Sequence, residues 1–339
     1  MKSLILILGI QLLPCVFFGQ TYTISSQGKN YGNGGAYVAP VVTRTFPAYN
    51  PPRAGSPVVS KSYNVYSPGA TPPSNSNNSS AVNKPVIVRN SFEYFWMEAN
   101  EKAGRNDFAG ALGDFDKAVG LNPRNADIYY DRGYNKLALE DYPGSMQDFD
   151  KAIELDPALM MAYNFRGYLK VVKGSNEEAI KDFNKVIELD ATYAETYVAR
   201  AGVKHTLQDD AGALKDYDRA ISLKPNLTMA FKKRAYLKMD MEDRPGAMAD
   251  FSKAIELDPN DTDTYCTRGL MKQGDKDYAG AITDLNKSIA LDPKNSLAFY
   301  IRAMSKFLTQ DRAGGCADFN KAAELGYASA PEMVKKYCN

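Results

Sequence analysis

The sequence predicts an all-α protein: seven stacked 34-residue helix-turn-helix repeats, closed by a C-terminal capping helix and preceded by a disordered N-terminal tail. Two observations carry this. The phrase DFDKAIELDP at residue 148 returns as DFNKVIELDA from 182, DYDRAISLKP from 216, DFSKAIELDP from 250 and DLNKSIALDP from 284, with an earlier copy, DFDKAVGLNP, at 114 and a decayed one, DFNKAAELGY, at 318. The starts keep a constant 34-residue step, and a fixed period of that size marks supersecondary units that bury their apolar faces only against one another. Ahead of the repeats, residues 20–91 hold nine prolines, nine asparagines and eleven serines with no helical or alternating period.

The first twenty residues read MKSLILILGIQLLPCVFFGQ. Lys2 followed by an apolar run from Leu4 to Phe18, broken by Gln11 and Pro14, has signal-peptide length and is too short and interrupted to span a membrane comfortably. Residues 1–19 are therefore expected to be a leader cleaved after Gly19, and the protein is expected to be exported, periplasmic or extracellular, with no transmembrane span once the leader is gone. Pro14 stands where a lipobox needs a small residue, so lipid attachment at Cys15 is the lesser alternative.

Residues 20–91 form the expected linker. They carry Lys29, Arg44, Arg53, Lys61, Lys84 and Arg89 and no acidic residue, whereas the chain from Phe92 has 34 basic and 40 acidic residues. A tail of +6 thus precedes a body of −6. The whole chain is nearly neutral, 41 basic against 40 acidic, and shows no general field for nucleic acid. The tail lacks the apolar area to offset its ordering entropy, and a flexible chain of this length spans roughly 50 Å. GNGGAY from Gly32 lacks the strand and helix that would turn its glycines into a phosphate cradle.

The repeats run 92–125, 126–159, 160–193, 194–227, 228–261, 262–295 and 296–329. Each first half reads as one amphipathic helix and each second half as another. Gly133, Gly167 and Gly269, with Ala99, Ala201, Ala235 and Ala303, are small where paired helices must approach closely. Phe115, Phe149, Phe183, Tyr217, Phe251, Leu285 and Phe319 fill the space beside them. Proline follows the second helix in five of the seven repeats, where it blocks continuation. An arginine precedes the small residue from Arg132 to Arg302, a lysine follows it from Lys102 to Lys306, and an aspartate recurs from Asp114 to Asp318. Opposite charges recurring in step point to a ladder of exposed ion pairs between helices, each worth about 0 to 1 kcal/mol.

This pattern resembles the tetratricopeptide repeat family over residues 92 to about 329. The 34-residue period, the small residue, the Ala, aromatic, Ala progression and the terminal proline all coincide. The resemblance implies a right-handed α-solenoid whose first helices line a concave groove that binds a protein or peptide. Carried over repeat by repeat, the groove residues are Trp96, Tyr130, Tyr134, Tyr168, Lys232, Tyr236, Met239, Tyr300, Met304 and Phe307. Gly202 leaves a gap among them. The departures are Ala191 and Tyr327 for proline, Ser288 and Ala322 near a small site, and Glu98 where later repeats have arginine.

Catalysis finds little support. His205 is the one histidine, which excludes multi-histidine metal sites and an imidazole relay. Close carboxylates fall in phrases set by the repeat, and DPNDTD from Asp258 lacks the glycine and distal glutamate of a calcium loop. No cofactor, metal or small-molecule substrate is expected. The expected role is a non-catalytic protein-interaction scaffold, with a self-associating structural component of a bacterial cell envelope as the alternative and homo-oligomers compatible with either. Gly326 should end the last second helix, after which residues 330–339 fold back as the cap. Cys316 lies ten positions before that glycine and Cys338 lies twelve after it, so the two come level and are expected to pair in an oxidising compartment. Because the tail offers no periodic apolar face, deleting residues 20–91 is expected to leave helicity and melting temperature nearly unchanged. A circular-dichroism melt checks this, and a fall of many degrees would make the tail an integral part of the fold.

Overall fold

The structure is a computed structural model that describes residues 90–338, together with four short strands before them. The expected leader, the alternative lipid site at Cys15 and most of the linker lie outside the described residues. Within the linker, β1 (Thr23–Ile24) pairs antiparallel with β2 (Val42–Thr43), and β3 (Asn64–Tyr66) pairs parallel with β4 (Val86–Val88). From Phe92 on, every described regular element is a helix: α1 (Phe92–Gly104), α2 (Phe108–Leu121), α3 (Ala126–Ala138), α4 (Tyr142–Leu155), α5 (Met160–Val172), α6 (Asn176–Leu189), α7 (Ala194–Thr206), α8 (Asp210–Leu223), α9 (Thr228–Asp240), α10 (Arg244–Leu257), α11 (Thr262–Gly274), α12 (Tyr278–Leu291), α13 (Ser296–Leu308), α14 (Arg312–Glu324) and α15 (Ala330–Tyr337). The chain divides into two compact units, Met1–Leu189 with the first three helix pairs and Asp190–Asn339 with the last four and α15.

Turn chemistry the period does not announce joins the helices of each pair. Asn106, Glu140, Gly174, Gln208, Glu242, Lys276 and Gln310 all have positive φ, and only Gly174 is a glycine. In six of the seven turns an aspartate follows and caps the second helix, as where the Gly144 N–H donates to Asp141 Oδ1 at 3.0 Å. The cap satisfies an otherwise orphaned helix N–H and gives the left-handed turn one fixed exit.

The core of each unit is built from small-on-aromatic contacts. Phe115, Phe149, Phe183, Phe251 and Phe319 are almost wholly buried. A Cβ placed on Gly167 would sit 2.8 Å from Phe183 Cε1, so a side chain there would require the ring to shift and only the smallest residues fit. Successive pairs share their apolar clusters: Trp96, Phe115 and Ile128 bury together across the first two repeats, and Phe149, Ala162 and Leu169 across the next junction. In the second unit Ala235, Phe251 and Met271 form one cluster, and Phe299, Ala322 and Ala330 another that includes the start of α15.

The ion-pair ladder is present, but its aspartates are buried rather than exposed as the sequence suggested. Asp148, 3% exposed, takes both Nε and a terminal nitrogen of Arg132 at 2.9 and 2.6 Å and the Lys136 ammonium at 2.8 Å. The same trio recurs as Arg166–Lys170–Asp182, Arg200–Lys204–Asp216, Arg234–Lys238–Asp250, Arg268–Lys272–Asp284 and Arg302–Lys306–Asp318. Each arginine also lies over an aromatic ring one turn earlier, Arg132 over Tyr129 at 5.4 Å and Arg302 over Phe299 at 5.3 Å. In several repeats its remaining nitrogen reaches the preceding one, as from Arg132 to Asp116 at 2.8 Å and from Arg234 to Asp218 at 2.6 Å. In the first repeat, where Glu98 replaces arginine, Lys102 and Lys117 hold Asp114. Burial opposes ionisation of Asp114, yet hydrogen bonds from the two lysines outweigh it and keep the carboxyl below its ordinary value.

A carboxylate left buried without its partner costs far more than an exposed pair gains. Arg234→Ala is expected to destabilise the protein by about 3 kcal/mol or more. The double variant Arg234→Ala/Asp250→Ala is expected to cost clearly less than the two single variants together, because it removes the buried carboxylate that the single variant leaves with the Lys238 contact alone. Urea unfolding followed by circular dichroism measures the cycle, and additive costs would mean the pair is not coupled.

Candidate functional site

The first helices α1, α3, α5, α9 and α13 carry the ten groove residues expected from the sequence, and the structure sorts them into two kinds. Trp96 and Tyr130 belong to the core. Trp96 is 8% exposed and its indole N–H donates to Asp131 at 2.6 Å, while Tyr130 is 5% exposed and packs against Phe149 and Phe165. Both rings are consumed by the junction between neighbouring repeats, so their expected place on an open groove wall is corrected. Phe307 and Tyr300 are half-covered by the end of the array: Phe307 stacks on Phe319 and meets Tyr337 of α15, both at 5.5 Å, and Tyr300 lies 4.4 Å from Tyr327. Lys232 is committed to an ion pair with Asp261.

The other five keep partial exposure. In the first unit Tyr134 stands edge-on to Phe165 at 5.2 Å and Tyr168 edge-on to Phe183 at 5.3 Å. In the second, Tyr236 stands edge-on to Phe251 at 5.1 Å with its hydroxyl 3.3 Å from Thr267 Oγ1. Met239 packs on the same cluster as Tyr236, and Met304 is half-buried on α13. Each tyrosine is locked by an edge-to-face contact, which lowers the entropy lost on contact with a partner. Position within the repeat decides this: Tyr134, Tyr168 and Tyr236 fall at the same place in the second, third and fifth repeats.

The gap at Gly202 belongs to that repeat position. The nearest heavy atom to a Cβ built there is the Tyr217 hydroxyl, 3.9 Å away. Where the third and fifth repeats set a first-helix tyrosine against a second-helix phenylalanine, the fourth has the phenol on the second helix and a glycine opposite. Tyr217 is 3% exposed, and burial pushes its hydroxyl above the ordinary value, with Asp216 adding to the effect. The sequence signalled the missing side chain but not the hydroxyl that floors the space.

His205 lies three residues after Gly202, in the last turn of α7. Its Nδ1 is 2.7 Å from Asp210 and its Nε2 3.3 Å from Asp240, an arrangement of surface acids around one ring. Among the described residues no group of three or more histidines, cysteines or acids is arranged to hold a metal ion, and no helix is long and apolar enough to cross a membrane.

Cys316 on α14 and Cys338 after α15 are joined by a disulfide with a Cα separation of 5.6 Å. Gly326, at φ +84°, reverses the chain after α14 and brings α15 back along it. Cys266 is buried, and burial, reinforced by Asp263 and opposed by a hydrogen bond involving Asn295, pushes its thiol up to about 12.

Paired helices on a 34-residue period define a helical-repeat solenoid within each unit, of the kind that presents surfaces to other proteins. Residues 97–160, 162–193 and 262–295 match models of the tetratricopeptide repeat. The chain carries tetratricopeptide repeats in these stretches. Its structure is similar to a tetratricopeptide repeat protein of Parabacteroides merdae, with 18% identity, 73% of this chain and 99% of that one covered, and a TM-score of 0.54. It is similar also to the C-terminal part of a repeat-containing protein of Cytophaga hutchinsonii, at 17% identity, 70% and 98% coverage and a TM-score of 0.58. For Pseudomonas aeruginosa pilF the figures are 16%, 62% and 97%, and 0.55. Identities this low speak to the fold alone. Among curated proteins none matches this chain.

These surroundings make the cysteines a direct probe of the array's end. A thiol reagent is expected to label neither Cys316, Cys338 nor Cys266 in the native protein, Cys266 alone among these after denaturation without reductant, and all three after reduction. Mass spectrometry of labelled peptides reads the result, and labelling of Cys338 before reduction would remove the bridge.

Proposed function

We propose that the protein is an exported, non-catalytic scaffold that binds an extended or helical segment of a partner protein along the first-helix face of its repeats. Tetratricopeptide repeats are protein-interaction scaffolds, and this much follows from the family. What favours the finer reading is the recurrence of Tyr134, Tyr168 and Tyr236. These rings are held rigid by edge contacts, partly exposed and repeated at one position of the unit, and aromatic anchors of that kind dominate interface energies. The Gly202 gap above the Tyr217 hydroxyl would receive one bulky partner side chain with a polar tip. Export rests on the leader-like first 19 residues and agrees with a disulfide in the fold.

Alanine at Tyr134, Tyr168 and Tyr236 separately tests the binding face. The partner is first captured by photo-crosslinking from position 134 or 236 in intact source cells and identified, and its affinity for each purified variant is then measured beside the melting curve. Loss of about 2 kcal/mol of binding with little change in melting is expected at a true anchor. Unchanged affinity in three folded variants would remove this face from the account. Concentration-dependent oligomers of the full chain by sedimentation, without any captured partner, would instead favour the self-associating envelope component.

A further inference from the structure

The body's excess of negative charge is confined to one unit. Residues 92–189, the first three helix pairs, carry 12 basic and 18 acidic residues, whereas residues 190–339 carry 22 of each. The six uncompensated charges therefore sit in the unit that adjoins a tail of six cations and no acid.

Part of that excess lies on the candidate face itself. Glu93 and Asp127 occupy the same position in the first turns of α1 and α3, one repeat apart, and each is seven residues ahead of the position that Tyr134 fills in the second repeat and Asn100 in the first. A separation of seven puts two residues on one helix face. Neither Glu93 nor Asp127 has an ion pair among the described residues. Asp127 is half-buried, and burial raises its carboxyl above the ordinary value, with the nearby Asp156 adding to the shift. Asp156, at the C-cap of α4, accepts the Ala158 N–H on one oxygen and has no cation either. Two adjacent carboxylates without a counter-charge, on the helix face of a partly exposed tyrosine, make an arrangement that a lysine or arginine would relieve. In the second unit Glu195 at this position is paired with Lys224 and position 229 is a methionine, while Asp263, which does recur beside Asp292, has the Lys232 ammonium near enough to oppose the rise of its carboxyl.

The tail supplies that cation at high local concentration. It joins α1 directly, and β4, flanked by Lys84 and Arg89, already lies against α1. Its span of roughly 50 Å exceeds the length of any first helix, about 20 Å. A tethered segment of this kind faces its site at an effective concentration in the millimolar range. Its prolines and tyrosines, in phrases such as PAYNPPRAG, are types that lie well against tyrosine-lined faces.

We propose that the basic tail, residues 29–89, docks on the first-helix face of repeats one to three, with its lysines and arginines against Glu93, Asp127 and Asp156, and so occupies part of the binding face in competition with the partner. The docking names a regulation of the face described under the proposed function and rests on that reading for its consequence, but is measured without any partner.

Zero-length carbodiimide coupling of the full chain, which joins a lysine amine to a carboxylate with loss of water, tests it. Peptide mapping is expected to find Lys61 and Lys84 linked to Glu93, Glu98, Asp127 or Asp156. In a mixture of isotopically light and heavy protein each link is expected to join peptides of one isotope only. The yield is expected to fall about tenfold when salt is raised to about 1 M, where charges are screened beyond ~3 Å. Tethering alone would also bring Lys84 near α1, so the deciding variant is Asp127→Asn/Asp156→Asn, checked for unchanged helicity. Docking predicts a several-fold loss of the Lys61 links to Glu93 and Glu98, which the variant retains. Unchanged Lys61 links in the variant, links chiefly to carboxylates of residues 190–339, links between isotopes, or no links at all would each overturn the proposal. Affinity of the alanine variants at the tyrosines for a captured partner is untouched by any of these outcomes, so the two readings fail separately.

Discussion

A carboxylate buried on every second helix constrains the rest of the repeat. Removing an ionised aspartate from water is unfavourable by several kcal/mol unless its lone pairs are filled. Asp148 and its five successors are filled the same way, by the two-pronged face of an arginine and by a lysine one turn further along the first helix. Because guanidinium is planar, this fixes the rotation of one helix about the other as well as their distance. The small residue beside the arginine and the aromatic beside the aspartate then follow from the separation that results.

Much of this was legible in the sequence because it is periodic. The helices, the small sites, the recurring aromatics, the in-step charges and the level cysteines all follow from a 34-residue spacing and from the geometry of a reversed chain at Gly326. What escaped has a common cause: residue type does not reveal which flank of a helix is closed. Aspartate is normally exposed, so the ladder read as surface pairs, when its carboxylates sit at the seam between helices. Trp96 and Tyr130 look like anchors in a list of aromatics, and only the approach of the next repeat shows that their rings are used up. The left-handed turn residues were hidden in a different way. Six of the seven are not glycine, so their signal is the capping aspartate that follows and the glycine three residues after that aspartate.

Departures from the period carry the functional information. Conformity explains how each repeat stacks. Gly202 with Tyr217, Glu98 in an arginine position and Asp127, an acid at a position that only some repeats make acidic, are places where stacking does not dictate the residue, and each leaves either a space or a charge unanswered. All three involve the first helices, which also carry the partly exposed tyrosines. The disulfide is likewise local: it fastens the eight residues of α15, too few to hold a helix alone, to the helix before them.

The arginine clamp has one more property, visible in the positions it joins. Arg132 reaches Asp148 sixteen places ahead and Asp116 sixteen places behind, and Arg166 and Arg234 repeat both steps. A clamp of that kind reads only its own neighbourhood. Duplicating or deleting a 34-residue block inside such a run hands every arginine an equivalent pair of partners, whereas a block one residue longer or shorter turns the seam into solvent and strands a buried acid. Selection on folding alone therefore favours growth and shrinkage of such a gene in whole repeats.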